Sequence, residues 1–298
     1  MHIRVGCAFT YQSEEPTAAV ALVRPRLDTP SHILNESLDA EPPIDHRGYV
    51  DHFGNRSDRM MLPAGASTIR YDARIEITGE PDEVSPTAQE IAVEQLPDEI
   101  LTFTLSSRYC PTEALAQVAW DLFGQSAPGW SRVQAICDWV HQHMRYGMVT
   151  TPLTTAVDVY VAGGGMCRDF AHLAITFCRA LTIPARYVFG YLPDIDVTGP
   201  QPPMDFHAWF EVYLDGRWWT FDARFNRPRI GRIPIGYGRD AVDVAMVTTY
   251  GSAVFQQMEV WSDPVTDASD DLLAQRERSA HTGVSEGLIL GTARREPS

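Results

Sequence analysis

Basic residues are the scarcer of the two charged classes in this chain. Lys and Arg total 24 against 39 Asp and Glu, for a net charge of −15. Such an acidic surface repels nucleic acid and anionic lipid, and no Lys/Arg cluster offsets it, so neither is an expected partner. The N-terminus, MHIRVGCAFTYQSEEP, lacks the charged segment and apolar run of a secretory leader. No stretch approaches the length needed to cross a bilayer. A cytoplasmic location is therefore expected. Cysteines are few and unpaired in pattern: Cys7, Cys110, Cys137, Cys167 and Cys178 are five in number, far apart, and none forms a CxxC pair. That argues against a disulfide framework and a zinc knuckle and favours reduced thiols. His141 and His143 fit no metal-ligand spacing, no acidic loop of the EF-hand type is visible, and there is no internal repeat.

What is present is an ordinary globular composition. Of 298 residues, 44% are hydrophobic and 21% charged, enough to bury a core. Residues 1–108 read as β-rich. RVGCAFTY, AVALVRP, RGYVDHFGN, STIRYDARIEI and ILTFTL are short, β-branched or aromatic runs punctuated by Gly, Pro, Asn and Asp. In STIRYDARIEIT the alternation puts Ile69, Tyr71, Ala73, Ile75 and Ile77 on one face. A β-sandwich-like accessory domain is expected there.

Near residues 107–111 the pattern changes. TEALAQVAWDLFG is followed by a helical stripe from Ser131 to Tyr146, with Val133, Ile136, Cys137, Val140 and Met144 on one side and Ser131 as a candidate cap. Residues 152–166 read as a loop ending in Gly163-Gly164-Gly165. A second helix follows, in which Phe170, Leu173, Ala174, Phe177 and Leu181 repeat at helical spacing. Then come strand-like runs RYVFGYL, FHAWFEVYL and RWWTFDA. The expected architecture is α+β: an N-terminal β-rich domain (1–108), a core of helices and an antiparallel sheet (109–265), and a polar C-terminal extension (266–298).

Within this order sits a set of residues suited to thiol chemistry. Cys167 lies where the glycine run meets the first turn of a helix, and unpaired N–H groups there favour a thiolate. Its own N–H is a candidate donor to an oxyanion. Taken alone, a buried helix cysteine is the commoner case, as for Cys178 and Cys137. Further on, Asp215-Gly216 is a strong hairpin signal. With those two residues as the turn, Leu214 pairs with Arg217, and His207, Trp209 and Asp222 share a face. His207 and Asp222 then become diagonal neighbours within reach of a hydrogen bond. A three-residue loop would instead separate them onto opposite faces. An imidazole that takes the thiol proton and a carboxylate that orients the ring complete the requirement.

GGGMCRDFAHLAITFCRALTIPARYVFGYL followed by HAWFEVYLDGRWWTFDA resembles the core of the bacterial transglutaminase-like superfamily over residues 130–225. The N-terminal part is similar to the accessory domain that precedes this core in many bacterial members. The resemblance implies a papain-like thiol enzyme with Cys167 as nucleophile, His207 as general base and Asp222 as orienting carboxylate. It also implies no metal and no cofactor. Gly165, Tyr146 and Trp209 are further candidates for substrate or oxyanion contact, with core packing the plainer role for Tyr146 and Trp209. Asp169 is expected to stabilise the helix start, and His172 to lie on another side of that helix. The expected substrate is a peptide or protein amide, cleaved by water as in a cysteine protease or amidase. Transfer to an amine, and a non-catalytic peptide-binding module of the same fold, are the alternatives. The acidic surface gives a weak preference for basic or neutral substrates, and nothing in the chain indicates its oligomeric state.

Overall fold

The computed structural model describes residues 1–195, 197–198 and 203–265; the extension at 266–298 lies outside the described residues. The first third folds as six strands, β1 (His2–Ser13), β2 (Thr17–Ala21), β3 (His32–Glu41), β4 (His46–Val50), β5 (Arg56–Leu62) and β6 (Gly65–Glu76). The two-residue alternation decides how β6 lies: Ile69, Tyr71, Ala73 and Ile75 are buried, while Arg70 and Glu76 are exposed. Two strands from the far end of the sequence, β13 (Val247–Tyr250) and β14 (Val254–Pro264), return to this region. They give sheets ordered β14-β1-β6-β3 and β13-β2-β5-β4. Residues 247–264, which the sequence groups with the core, thus hydrogen-bond antiparallel to β2 and β1.

ILTFTL is not a strand. It forms a short helix, α1 (Asp98–Leu101), running into a 3₁₀ turn at Thr102–Thr104. Pro97 precedes it, Asp98 and Glu99 sit in its first turn, where the helix dipole favours them, and Ile100 and Phe103, three residues apart, are both buried. Local helix signals and burial at helical spacing outweigh the β propensity of the run.

The next helices are α2 (Thr112–Phe123) and α3 (Trp130–His143). Val133, Ile136, Cys137 and Val140 form the buried stripe of α3. Its cap is Gly129 rather than Ser131, with φ of 85°. A Cβ there would lie 2.2 Å from the Ala88 carbonyl oxygen, so close packing on the linker requires glycine. A two-residue strand, β7 (Arg145–Tyr146), leads to residues read as loop. They contain a further helix, α4 (Ala156–Ala162), started by a Thr155/Asp158 capping box and ended by Gly163 at φ 67°.

Strand β8 (Gly164–Gly165) pairs with β7 and delivers the chain into α5 (Cys167–Ala180). α5 is the central helix, buried from Asp169 through Ala180, so it is covered on all sides rather than amphipathic. It packs on α2, α3, α4 and the sheet. Phe177 alone touches the rings of Phe123, Trp139 and Tyr160. The sheet is β9 (Ala185–Tyr191), β10 (His207–Leu214), β11 (Arg217–Phe221) and β12 (Ile233–Gly238), ordered β11-β10-β9-β12. The β10–β11 turn has the register expected from Asp215-Gly216: Leu214 faces Arg217 and Phe210 faces Phe221. Both turn residues have positive φ, 48° and 79°, as a two-residue hairpin requires.

Candidate active site

The site is assembled where the start of α5 meets the beginning of β10 and the end of β11. Met166 occupies the cap of α5 and Cys167 its first helical position, so the Cys167 N–H is among the donors with no intrahelical acceptor. Asp169, fully buried, locks this start: its Oδ2 accepts from the Met166 N–H at 2.8 Å and from Thr150 Oγ1 at 2.7 Å. Its Oδ1 accepts from Arg168 at 3.0 Å. The glycines before Cys167 have a packing role. A Cβ on Gly165 would sit 2.6 Å from Asp169 Cβ, and one on Gly164 would sit 2.7 Å from the Arg145 carbonyl oxygen. The sequence makes Gly165 a candidate for substrate or oxyanion contact. In the structure Gly164 and Gly165 are buried and hydrogen-bonded to the strand beside them.

His207 and Asp222 meet as the hairpin register predicts. His207 Nε2 lies 2.7 Å from Asp222 Oδ2, with both side chains buried. Asp222 accepts more than this. Arg232 Nη2 donates to Oδ2 at 2.9 Å, and the N–H groups of Arg224 and Phe225 donate to Oδ1 at 3.0 and 3.1 Å. Burial by itself would raise the Asp222 pKa. The His207 and Arg232 charges and these hydrogen bonds overcome it and hold the carboxyl well below its usual range. Asp222 is therefore an anion, and Nε2–H donates to it, which leaves His207 Nδ1 with the free lone pair.

Cys167 is half-buried, unlike the other four cysteines, which are buried. The sequence position predicts a lowered thiol pKa, and the structure reverses that direction. Desolvation pushes Cys167 up to about 11, against the lowering effect of a hydrogen bond from the Ala208 backbone and of the Arg224 charge. Burial likewise pushes His207 below its ordinary value, although Asp222 opposes this. Both directions favour a neutral thiol and a neutral imidazole over a preformed thiolate–imidazolium. The bond from Ala208, the residue next to His207, places the sulfur against the start of β10.

A cleft of about 150 Å³ opens here, lined by Tyr146, Met166, Asp205, His207, Arg224 and Phe225 among others. Tyr146 is on its wall, half-exposed, with the Arg224 guanidinium 3.7 Å from its ring centroid. Trp209 is not on this wall. It is buried, stacks at 6.1 Å on the ring of His207, and with Arg232 lines a separate hollow of about 520 Å³. There the Arg232 guanidinium lies 5.0 Å from the Trp209 ring centroid. His172 is also apart from the site, sandwiched between Tyr109 and Tyr187, with burial lowering its pKa to about 3. Among the described residues no group of three His, Cys, Asp or Glu side chains is placed to hold a metal. No described helix is long and apolar enough to cross a membrane.

Two residues with a direct bearing on the site escape sequence reasoning. Arg232 bridges Asp222 to Asp82, at 2.9 and 2.8 Å, tying the carboxylate to the linker that precedes the helices. Its number carries no signal, because Asp82 is 150 positions away. Arg224 stands two residues after Asp222, and its side chain lies over the cleft.

A helix-start cysteine set against a His/Asp-bearing antiparallel hairpin defines a transglutaminase-like core. The family model of the Transglutaminase-like superfamily matches residues 116–223. A solved structure of a candidate cysteine protease from Cytophaga hutchinsonii is 33% identical and superposes with a TM-score of 0.79, covering 90% of this chain and 92% of that one. The chain belongs to the transglutaminase-like superfamily. Among curated relatives, an uncharacterized protein of Mycobacterium leprae is 28% identical over 257 residues, covering 82% of this chain and 90% of its own. One from Mycobacterium tuberculosis is 29% identical over 245 residues, covering 74% of this chain and 77% of its own.

Proposed function

We propose that this protein is a thiol hydrolase of amide bonds in peptides or proteins. The observation that carries the reading is the buried 2.7 Å His207–Asp222 pair together with a partly exposed cysteine at the first position of α5, which feels the Ala208 backbone and the Arg224 and Asp222 charges. The candidate cysteine protease from Cytophaga hutchinsonii, similar over nearly the whole chain, supports the same class.

In this reading His207 Nδ1 takes the Cys167 proton as the sulfur attacks the carbonyl carbon. The Cys167 N–H, with Tyr146 as second donor, faces the oxyanion. Collapse breaks the C–N bond, and His207 returns the proton to the leaving amine. Water then attacks the thioester, giving its proton to His207, and the C–S bond breaks to release acid and thiol. Asp222 holds Nε2–H throughout and stabilises the imidazolium that forms transiently. An amine in place of water would make the enzyme a transferase through the same thioester.

The pH dependence tests this account. The base must be neutral, and burial lowers its pKa. The acid limb of kcat/KM for a cleaved peptide amide should therefore fall below the unperturbed histidine value of about 6.5. Because the thiol pKa is raised rather than lowered, the proton is in flight during acylation, and a normal solvent isotope effect is expected on that step. An acid limb above 6.5 would contradict a base lowered by burial, and acylation with no isotope effect would point to a preformed ion pair and contradict the neutral-pair mechanism.

A further inference from the structure

The Arg224 side chain differs from most arginines around this site; Arg229, 4.2 Å from the Phe225 centroid, likewise lacks a carboxylate at salt-bridge distance among the described residues but donates to the Pro193 carbonyl oxygen at 3.0 Å. Arg168 pairs with Asp169, Arg186 with Glu211, and Arg232 with Asp82 and Asp222. Among the described residues, Arg224 has no carboxylate within salt-bridge distance. Its backbone is nonetheless held firmly: the N–H donates to Asp222 Oδ1 at 3.0 Å, and the carbonyl accepts from His141 Nδ1 at 2.8 Å. The guanidinium lies on an aromatic shelf, 3.7 Å from the Tyr146 centroid and 4.6 Å from that of Phe225. Its Nη1 reaches His207 Nδ1 at 3.4 Å. That contact is long for a hydrogen bond and ends on a neutral nitrogen, a poor partner for a group whose planar fork matches a carboxylate. It also falls on the one atom that must accept the thiol proton.

We infer that Arg224 is the specificity-determining residue of this cleft: it captures a carboxylate carried beside the scissile amide and, in turning to it, vacates His207 Nδ1 for the Cys167 proton. This rests on the thiol-hydrolase reading above and adds a substrate class to it. Binding and activation are then one event. A neutral substrate displaces this weak contact without compensation, whereas an anionic one exchanges it for a charge-assisted, two-pronged pair.

The other charges facing the cleft set the limits. Asp205 and Asp194 line it too. Asp205 Oδ1 accepts from the Phe206 N–H at 2.7 Å, and Asp194 is exposed. Asp205 also feels the Arg224 charge without reaching salt-bridge distance, and the two carboxylates together oppose a ligand with several negative charges. The net charge of −15 favours basic or neutral substrates at long range. Screening confines that field to about 8 Å at physiological salt, so inside the cleft the nearest unpaired charge decides.

Two thiol reagents of nearly equal size separate these effects without any known substrate: iodoacetate, which carries a carboxylate, and iodoacetamide, which does not. Peptide mapping gives the rate at Cys167 for each, and N-acetylcysteine gives the ratio for a free thiol. The wild-type ratio of iodoacetate to iodoacetamide should exceed the free-thiol ratio by about tenfold or more, the order of one charge-assisted contact. The iodoacetate rate should also saturate. Arg224→Gln should return the ratio to the free-thiol value, and Arg224→Lys should restore part of it. A wild-type ratio equal to that of the free thiol, or one unchanged in Arg224→Gln, overturns the inference while leaving the nucleophile assignment intact. Failure of both reagents to label Cys167 at any pH would remove the nucleophile and this inference with it. Peptide amides with an acidic side chain at the cleavage site, and peptides whose leaving residue ends in a free carboxylate, distinguish the two sources of the charge. The source is whichever arm shows a KM rise of about tenfold in Arg224→Gln, and no rise in either arm overturns the proposal.

Discussion

Cys167→Ala should lower amide turnover by about 10⁴-fold or more, with thermal unfolding almost unchanged. The size follows from what is removed. Without the sulfur there is no thioester, and the remaining His207–Asp222 pair can only assist direct attack by water. Removal of a nucleophile from a catalytic triad typically costs about 10⁴ to 10⁶ in turnover. The small effect on stability follows from the packing: Cys167 is half-buried, and Asp169, not Cys167, holds the start of α5 through Met166 and Thr150. The measurement pairs a turnover assay on a cleaved peptide amide with a melting curve. A variant that melts like wild type and retains full turnover would end the nucleophile assignment. One that loses activity only because it unfolds would show that the residue is structural.

Asp222→Asn should lower kcat by about 10³- to 10⁴-fold with little change in KM. One face of the new side chain still accepts from the Arg224 and Phe225 N–H groups. The other face then presents an NH₂ to His207 Nε2 and to Arg232. An amide donor at Nε2 selects the tautomer with hydrogen on Nδ1, leaving no lone pair for the thiol proton. Arg232, buried, keeps Asp82 but loses an anionic acceptor, which should cost about 1–3 kcal/mol of stability. The sign with pH is fixed by the Asp222 shift. Its folded pKa lies below the unfolded carboxylate value, so its contribution is fully present above about pH 4 and is lost as pH falls through the lowered value. The stability difference between wild type and variant should therefore be full at neutral pH and shrink in acid. A variant impaired in KM alone would contradict the orienting role.

The meeting of His207 with Asp222 was legible in the chain for a physical reason. Asp215-Gly216 admits a two-residue turn with both φ values positive, and that turn fixes every pairing in β10–β11, hence which side chains share a face. The alternation of β6 and the apolar stripe of α3 are similarly local. What the chain concealed was either tertiary or a local contest. β14 follows the core in sequence and pairs with β1 across the whole chain, and nothing in its composition names its partner. Arg232 reaches Asp82 and Asp222 only after the linker has folded onto the sheet. ILTFTL carries strand-forming residues, yet Pro97, Asp98 and Glu99 start a helix that buries Ile100 and Phe103 together. The thiol pKa shows the limit of a positional argument: a helix start favours the thiolate, but desolvation on the same sulfur is larger.

The central claim is that Cys167 forms a covalent acyl intermediate with His207 as its base, and rapid mixing with p-nitrophenyl acetate tests it most directly. The account predicts a burst of p-nitrophenolate of one equivalent per chain, with the acetyl group mapped to Cys167 after acid quench. The burst should vanish in Cys167→Ala and slow by at least about 100-fold in His207→Ala. Acetylation of another residue, or a Cys167 burst of undiminished rate in His207→Ala, would contradict it.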